Sequence, residues 1–189
     1  GESGSGKSTV SQAIGRMLPR VCHVTSGSVH VLGRDLADLA PDAIRALRRE
    51  SLGFIPQDPI ASLNPTMRIR RQLELALRPL GRPTDLESLT ELLASVKILE
   101  PDRVLRLYPH EVSGGMAQRI AIALTMAREP EILIADEPTA SLDAQVRDEI
   151  LTLIVDLVQR SGASLIWISH DLGAVRRWCD QIVVMHQGR

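Results

Sequence analysis

Several short stretches hold residues whose types and spacing could do chemistry. GESGSGKSTV, residues 1–10, places Gly1, Gly4, Gly6, Lys7 and Ser8 in the full pattern G-x-x-x-x-G-K-[ST]. Glycines at those positions let backbone N–H groups curl around the β- and γ-phosphates of a nucleotide. Lys7 adds a mobile positive charge, and the Ser8 hydroxyl is a hard oxygen ligand suited to Mg²⁺. A helix starting at Lys7 would aim its N-terminal dipole and Thr9 at the same phosphates. A flexible Gly/Ser-rich start is the plain alternative, but it leaves Lys-Ser leading straight into a helix unexplained.

EILIADEP sets Asp136 and Glu137 at the end of an apolar strand, the edge of a parallel sheet where ligands bind. Asp136 there can hold a Mg²⁺ shell through water, and Glu137 can orient or deprotonate an attacking water. Behind a phosphate loop that reading outweighs a solvated acidic turn. In YPHEVSGGMAQRIAIALTMAREP, residues 108–130, Ser113, Gly114 and Gly115 open a helix. Their N–H groups and the Ser113 hydroxyl make a second anion site, or simply a Ser cap with a Gly turn. Gln57 follows the apolar run LGFIP, His170 follows SLIWIS, and ASLDAQ carries Ser141 and Asp143. Taken singly, these are a solvated glutamine, a loop histidine and a helix cap.

The elements that must position these residues alternate between helical and strand patterns, with no internal repeat and no low-complexity linker. A helix is expected over about residues 7–18, stopped by Pro19, with short strands near residues 28–32 and 52–55. Two amphipathic helices follow, in RIRRQLELALRPL and in TDLESLTELLASV, the latter capped by Thr84 or Asp85. Asn64 and Pro65 form a turn before the first of them. EILIAD, ASLIWIS and QIVVMH read as strands, and DAQVRDEILTLIVDLVQR and DLGAVRRWC as the helices between them. Strands alternating with helices imply a parallel sheet covered on both faces, with residues 61–128 as a helical insertion.

Composition narrows the class without naming a reaction. The chain has 189 residues, 44% hydrophobic and 24% charged, as in a globular protein with a real core. Its 22 Lys+Arg balance 23 Asp+Glu to a net charge of -1, so no global positive field gathers nucleic acid or anionic lipid. Cys22 and Cys179 match no metal spacing and read as buried reduced thiols, which suits the cytoplasm. No apolar run is long enough to span a bilayer, so any membrane step belongs to another chain.

With these stretches in this order, the whole chain resembles the nucleotide-binding subunits of ABC transporters, whose signature motif has the form of YPHEVSGGM. The resemblance implies an α/β fold, a RecA-like P-loop NTPase sheet in residues 1–60 and 129–189, with an ABC-type helical subdomain in 61–128. It implies ATP and Mg²⁺ as cofactors. ATP would be held by Gly1, Ser3, Gly4, Ser5, Gly6, Lys7, Ser8 and Thr9, and from the facing subunit by Ser113, Gly114, Gly115, Met116 and Asp143. Mg²⁺ would meet Ser8, Gln57 and Asp136. Glu137 would be the catalytic carboxylate, His170 the γ-phosphate sensor, and Gln57 and Lys7 would complete the hydrolytic set. Two such subunits pack head to tail, so one chain alone should bind ATP better than it hydrolyses it.

FIPQDPIASLNPTMRI and YPHEVSGGMAQR further resemble the branch serving peptide and nickel importers. That branch implies transmembrane permease subunits, a second ATP-binding subunit, an extracellular solute-binding protein, and a place on the cytoplasmic face of the cell membrane, with no direct nucleic acid. Arg68, Arg70 and Arg71 form a solvated basic face or a permease contact. Val112 stands where the signature commonly has Leu, and Ala117 where Arg or Lys is frequent, which implies a missing contact across the subunit interface. The alternative is a soluble ABC-type ATPase acting on ribosomes or nucleic acid. The stretch between phosphate loop and signature lacks sustained heptads, which disfavours the coiled-coil chromosomal type. An inactive module is opposed by Glu137, His170 and the intact 113–116 run. The resemblance also implies a fragment: a strand and an adenine-stacking aromatic are expected upstream of Gly1 and an extension beyond Arg189, so that these residues alone should be prone to aggregate.

Overall fold

A computed structural model describes residues 4–140 and 142–188; Gly1, Ser3 and Ser141 lie outside the described residues. Three parallel strands form the central sheet in the order β3-β4-β5, with β3 at Leu52–Ile55, β4 at Ile132–Asp136 and β5 at Ser164–Ile168. Leu52 aligns with Ile132 and Ile132 with Ser164, so the three strands end level with one another. β4 is central because its run ILIAD is apolar on both faces: Leu133, Ile134 and Ala135 are all buried.

Around this sheet run α1 (Lys7–Ile14), a hairpin of β1 (His30–Val31) and β2 (Arg34–Asp35), and α2 (Pro41–Glu50). Between β3 and β4 the chain is helical: α3 (Pro59–Ser62), α4 (Ile69–Leu77), α5 (Leu86–Ser95), α6 (Pro101–Val104) and α7 (Gly114–Met126). α8 (Ala144–Ser161) joins β4 to β5, and α9 (Leu172–Trp178) follows β5. Ile69, Leu73 and Leu77 recur at helical spacing and face one core with Leu89 and Leu93 of α5, Ile120 and Ile122 of α7 and Ile150 of α8. A smaller cluster of Val31, Leu36, Leu47 and Leu52 roots the hairpin and α2 against β3.

Several expectations need correction. α1 stops at Ile14 rather than Leu18: Gly15 ends it, Arg16 turns left-handed at φ 51°, and its guanidinium donates to the Leu36 carbonyl. Of residues 28–32 only His30 and Val31 are strand, because Leu32 and Gly33, both at positive φ, fold the chain back into a two-residue hairpin loop. QIVVMH is no strand. A strand exists by its partner, and among the described residues β5 pairs with β4 alone, leaving Val183 and Val184 to solvent. Cys22 is exposed rather than buried, while Cys179 is half-buried, its thiol pKa raised by burial and by Asp180. Ala117 is wholly buried in the core, so the larger residue absent there has no open surface to occupy.

The cap of α5 is Asp85, which accepts from Ser88 N at 3.0 Å. Asn64 makes its turn by accepting from Thr66 N at 3.0 Å, and Gln72 fastens that turn to α4 through bonds to the Asn64 and Met67 backbone. Arg70 and Arg71 both pair with Glu74, and Arg68 lies over the Tyr108 ring, so the three side chains are held in place while one carboxylate offsets only part of their charge.

Candidate functional site

Parallel strands that end level put whatever follows each of them along one edge. Gln57 comes two residues after β3, Asp136 is the last residue of β4 with Glu137 next, and His170 comes two residues after β5. α1 brings Lys7, Ser8 and Thr9 to the same edge. Gly4 at φ 80° and Gly6 at φ 93° give the preceding loop a left-handed path that a side chain would resist. Gly6 then caps α1 by accepting from Val10 N through its carbonyl at 3.0 Å, and Ser5 is buried with its carbonyl held by Gly188 N at 3.2 Å.

Two contacts join these pieces. Ser8 Oγ donates to Asp136 Oδ1 at 3.1 Å across 128 residues of sequence. Beside it, His170 Nδ1 lies 3.4 Å from Glu137 Oε2. Burial holds the Asp136 carboxyl above its ordinary pKa, and the Glu137 charge adds to the rise; the Ser8 bond and the Lys7 charge oppose it. Lys7 Nζ reaches Ser5 Oγ at 3.3 Å. Glu137 has φ 43°, rare for a residue with a side chain, and its N–H is tied to the Ile168 carbonyl at 3.0 Å. Arg16 and Leu32 share that backbone conformation in ordinary turns; at Glu137 the bond to Ile168 holds it at the end of β4. Gln57 is exposed, and among the described residues its side chain makes no hydrogen bond.

A second cluster forms where two helices begin. Ser113 caps α7 by accepting from Met116 N at 3.2 Å, and Asp143 caps α8 by accepting from Val146 N at 3.0 Å. Gly114 lies against Leu142 and Gly115 against Val146, so the two helix starts sit side by side. Among the described residues no hydrogen bond joins this cluster to the first. Sequence reasoning missed Ser11, which is buried and donates to Ser8 O at 2.8 Å, stiffening the first turn of α1; only its place one turn after Ser8 could have hinted at it. It also missed Arg119, the one charged residue of α7, buried beside Gln118.

Residues 1–140 match the ABC transporter family. The chain belongs to that family. It is 44% identical over 193 residues to the probable peptide ABC transporter ATP-binding protein y4tR of Sinorhizobium fredii, covering 100% of this chain and 58% of that protein. It is 40% identical over 193 residues to the oligopeptide transport ATP-binding protein OppD of Bacillus subtilis, covering 100% of this chain and 54% of that one. The chain thus spans little more than half the length of these relatives. Its fold is that of solved ABC cassettes. The ATP-binding cassette MJ0796, a dimer in a post-hydrolysis state bound to ADP and Pi, superposes with a TM-score of 0.81 at 30% identity, covering 99% of this chain and 79% of that one. CbiO1 of Clostridium perfringens, part of an ABC transporter complex, gives a TM-score of 0.83 at 31% identity, covering 100% and 72%. Among the described residues of this ABC chain no helix is long and apolar enough to cross a membrane.

Proposed function

We propose that this chain is the ATP-binding and ATP-hydrolysing subunit of an ABC importer of peptides. The observation that carries the reading is the joining of Ser8 to Asp136 and of His170 to Glu137 at one sheet edge, beneath a glycine loop that opens onto α1. An edge of that kind offers backbone N–H groups and Lys7 to phosphates, and a carboxylate to a water. Under this reading Gly1, Ser3, Gly4, Ser5, Gly6, Lys7, Ser8 and Thr9 hold the triphosphate. Ser113, Gly114, Gly115, Met116 and Asp143 address the nucleotide of a facing subunit. Residues 1–60 and 129–189 form the ATPase core, and 61–128 the helical subdomain.

Mg²⁺ fits the donors present. Ser8 Oγ and Asp136 Oδ1 are hard oxygens already within 3.1 Å of each other, with Gln57 near the same edge. Among the described residues no cluster of three His, Cys, Asp or Glu side chains could hold a metal unaided, which suits an ion whose shell is completed by phosphate oxygens and water. When bound, the ion would neutralise phosphate charge. Glu137 acts as general base or orients the attacking water, and His170 restrains its carboxylate from Nδ1. Partner permease subunits, a second ATP-binding subunit and an extracellular solute-binding protein complete the assembly, on the cytoplasmic face of the membrane. The peptide cargo is supported by relatives named for peptide, oligopeptide and dipeptide transport.

The test is Glu137→Gln in the full-length protein. Hydrolysis should fall by about 10²-fold or more while ATP binding is retained. Turnover equal to that of the unsubstituted protein would remove Glu137 from the chemistry.

A further inference from the structure

α7 carries a charge where its pattern calls for none. After the cap, the helix runs GGMAQRIAIALTM, and Arg119 sits in it at 9% exposure among buried alanines and isoleucines. An arginine taken out of water costs free energy that an apolar residue of similar size would not, so its retention calls for a positional reason. Its two terminal nitrogens go to two different elements. Nη1 donates to Val96 O at 3.1 Å, just past the end of α5, and Nη2 donates to Glu149 Oε2 of α8 at 2.7 Å. The planar guanidinium fixes both directions at once, which a lysine could not do.

The same face of α7 carries Gly115, four residues earlier and therefore one turn nearer the cap. A Cβ on Gly115 would come within 2.9 Å of Val146 Cγ1, and one on Gly114 within 3.7 Å of Leu142 Cδ2. Val146 lies three residues before Glu149, on the same side of α8. Close glycine packing at the helix starts and the Arg119–Glu149 bond one turn further in thus fasten α7 to α8 at two levels. Val96 O adds the end of α5 to the same fixture.

We infer that Arg119 and Glu149 are a positioning pair that makes the Ser113-capped start of α7 and the Asp143-capped start of α8 move as one body. The inference rests on the proposed ATPase reading, under which both helix starts address the same facing nucleotide. α8 is also the next helix after β4, whose last residue is Asp136 with Glu137 following, so the pair lies in the same chain segment as the proposed catalytic edge. Neither residue touches nucleotide; both act through Ser113 and Asp143. Loosening the pair should therefore slow turnover and leave nucleotide capture, which is centred on Lys7, unaffected.

Glu149 is 48% exposed, so its truncation opens no cavity, and the cost it carries is that of leaving the Arg119 charge with Val96 O alone. In the full-length protein, Glu149→Ala should lower kcat about threefold to tenfold while KM for ATP stays within about twofold. Glu149→Gln, whose amide oxygen still accepts from Arg119, should recover at least half of the loss. An unchanged kcat in Glu149→Ala, or an equal loss in Glu149→Gln, would overturn the pairing. Glu137→Gln is assayed alongside: if it hydrolyses ATP as fast as the unsubstituted protein, the ATPase reading fails and not the pair. Hydrogen exchange without nucleotide then decides the pair by itself. Glu149→Ala should speed exchange at both the Ala117 and Val146 amides, and unchanged exchange at either would refute the coupling.

Discussion

At Asp136 the site keeps a carboxylate that the folded chain disfavours. The group is only 8% exposed, and burial and the Glu137 charge raise its pKa above the ordinary 3.8 despite the opposing Ser8 bond and Lys7 charge. Below 3.8 the group is protonated in both folded and unfolded chains and is neutral to stability. As pH climbs, the unfolded chain releases its proton first and so binds fewer protons, and folding stability drops through the window between the two pKa values. Above the folded-state pKa the cost is fully present. Asp136→Asn removes the charge and keeps an oxygen for Ser8 Oγ. In the absence of nucleotide it should raise the thermal midpoint at pH 7, since the charge that burial disfavours is then gone. The gain should shrink toward zero at acid pH. A midpoint that falls, or a gain equally large at acid pH, would contradict the origin of the strain in the buried charge.

Among the elements, β3 is the one whose packing leaves the least room. Gly53 is at its centre, and a Cβ there would meet Thr125 Cγ2 at 2.7 Å, Pro130 Cγ at 2.8 Å and Leu133 Cδ1 at 2.9 Å. Gly53→Ala should therefore cost about 1–3 kcal/mol through overpacking. Thr125→Ser removes one of the three obstacles and keeps the Thr125 Oγ1 bonds to Phe54 O and Ala121 O, so the double variant should recover part of the loss and not all of it. Thermal unfolding of the two variants beside the parent checks this; a Gly53→Ala protein as stable as the parent would show that β3 has slack. Sequence could not announce this constraint, because nothing local distinguishes a glycine pressed by three neighbours from one in a loose strand. Caps were legible: Asp85, Ser113 and Asp143 each hold the helix that follows them, since an oxygen side chain before an apolar period has one local use. β4 was legible as well, its apolar run needing burial on both faces. The ends of α1 and the fate of residues 181–186 were not, because left-handed Arg16 and a strand without a neighbour are decided by tertiary contacts. In the site, residue types along one sheet edge were readable from strand ends. The meeting of Ser8 with Asp136 depends on register across 128 residues, and the pairing of Arg119 with Glu149 on helix packing, which no spacing encodes.

For the molecule as a whole, the three-stranded sheet has β4 in the middle, a buried β3 on one side and a partly exposed β5 on the other. β4 is paired on both sides, whereas among the described residues β5 has a partner on one side only. Close in sequence to that open edge, Val183 is 87% and Val184 68% exposed, and Val21 is 87% exposed in the stretch after α1. An open strand edge and adjoining β-branched apolar residues offer another chain both backbone pairing and a surface to bury. The 189 residues expressed on their own should therefore self-associate as concentration rises, seen as growing scattering and a drifting elution volume. Replacing Val183 by Lys adds a charge on the exposed stretch without touching the strand ends that carry Asp136 and Glu137, and should shift the onset of association to about severalfold higher concentration. Added salt should then reverse part of that gain by screening the charge. A monomer at every concentration, with a sharp and reversible thermal transition, would mean that the exposed valines are satisfied within one chain, and that the sheet needs no further strand or partner to be a stable body.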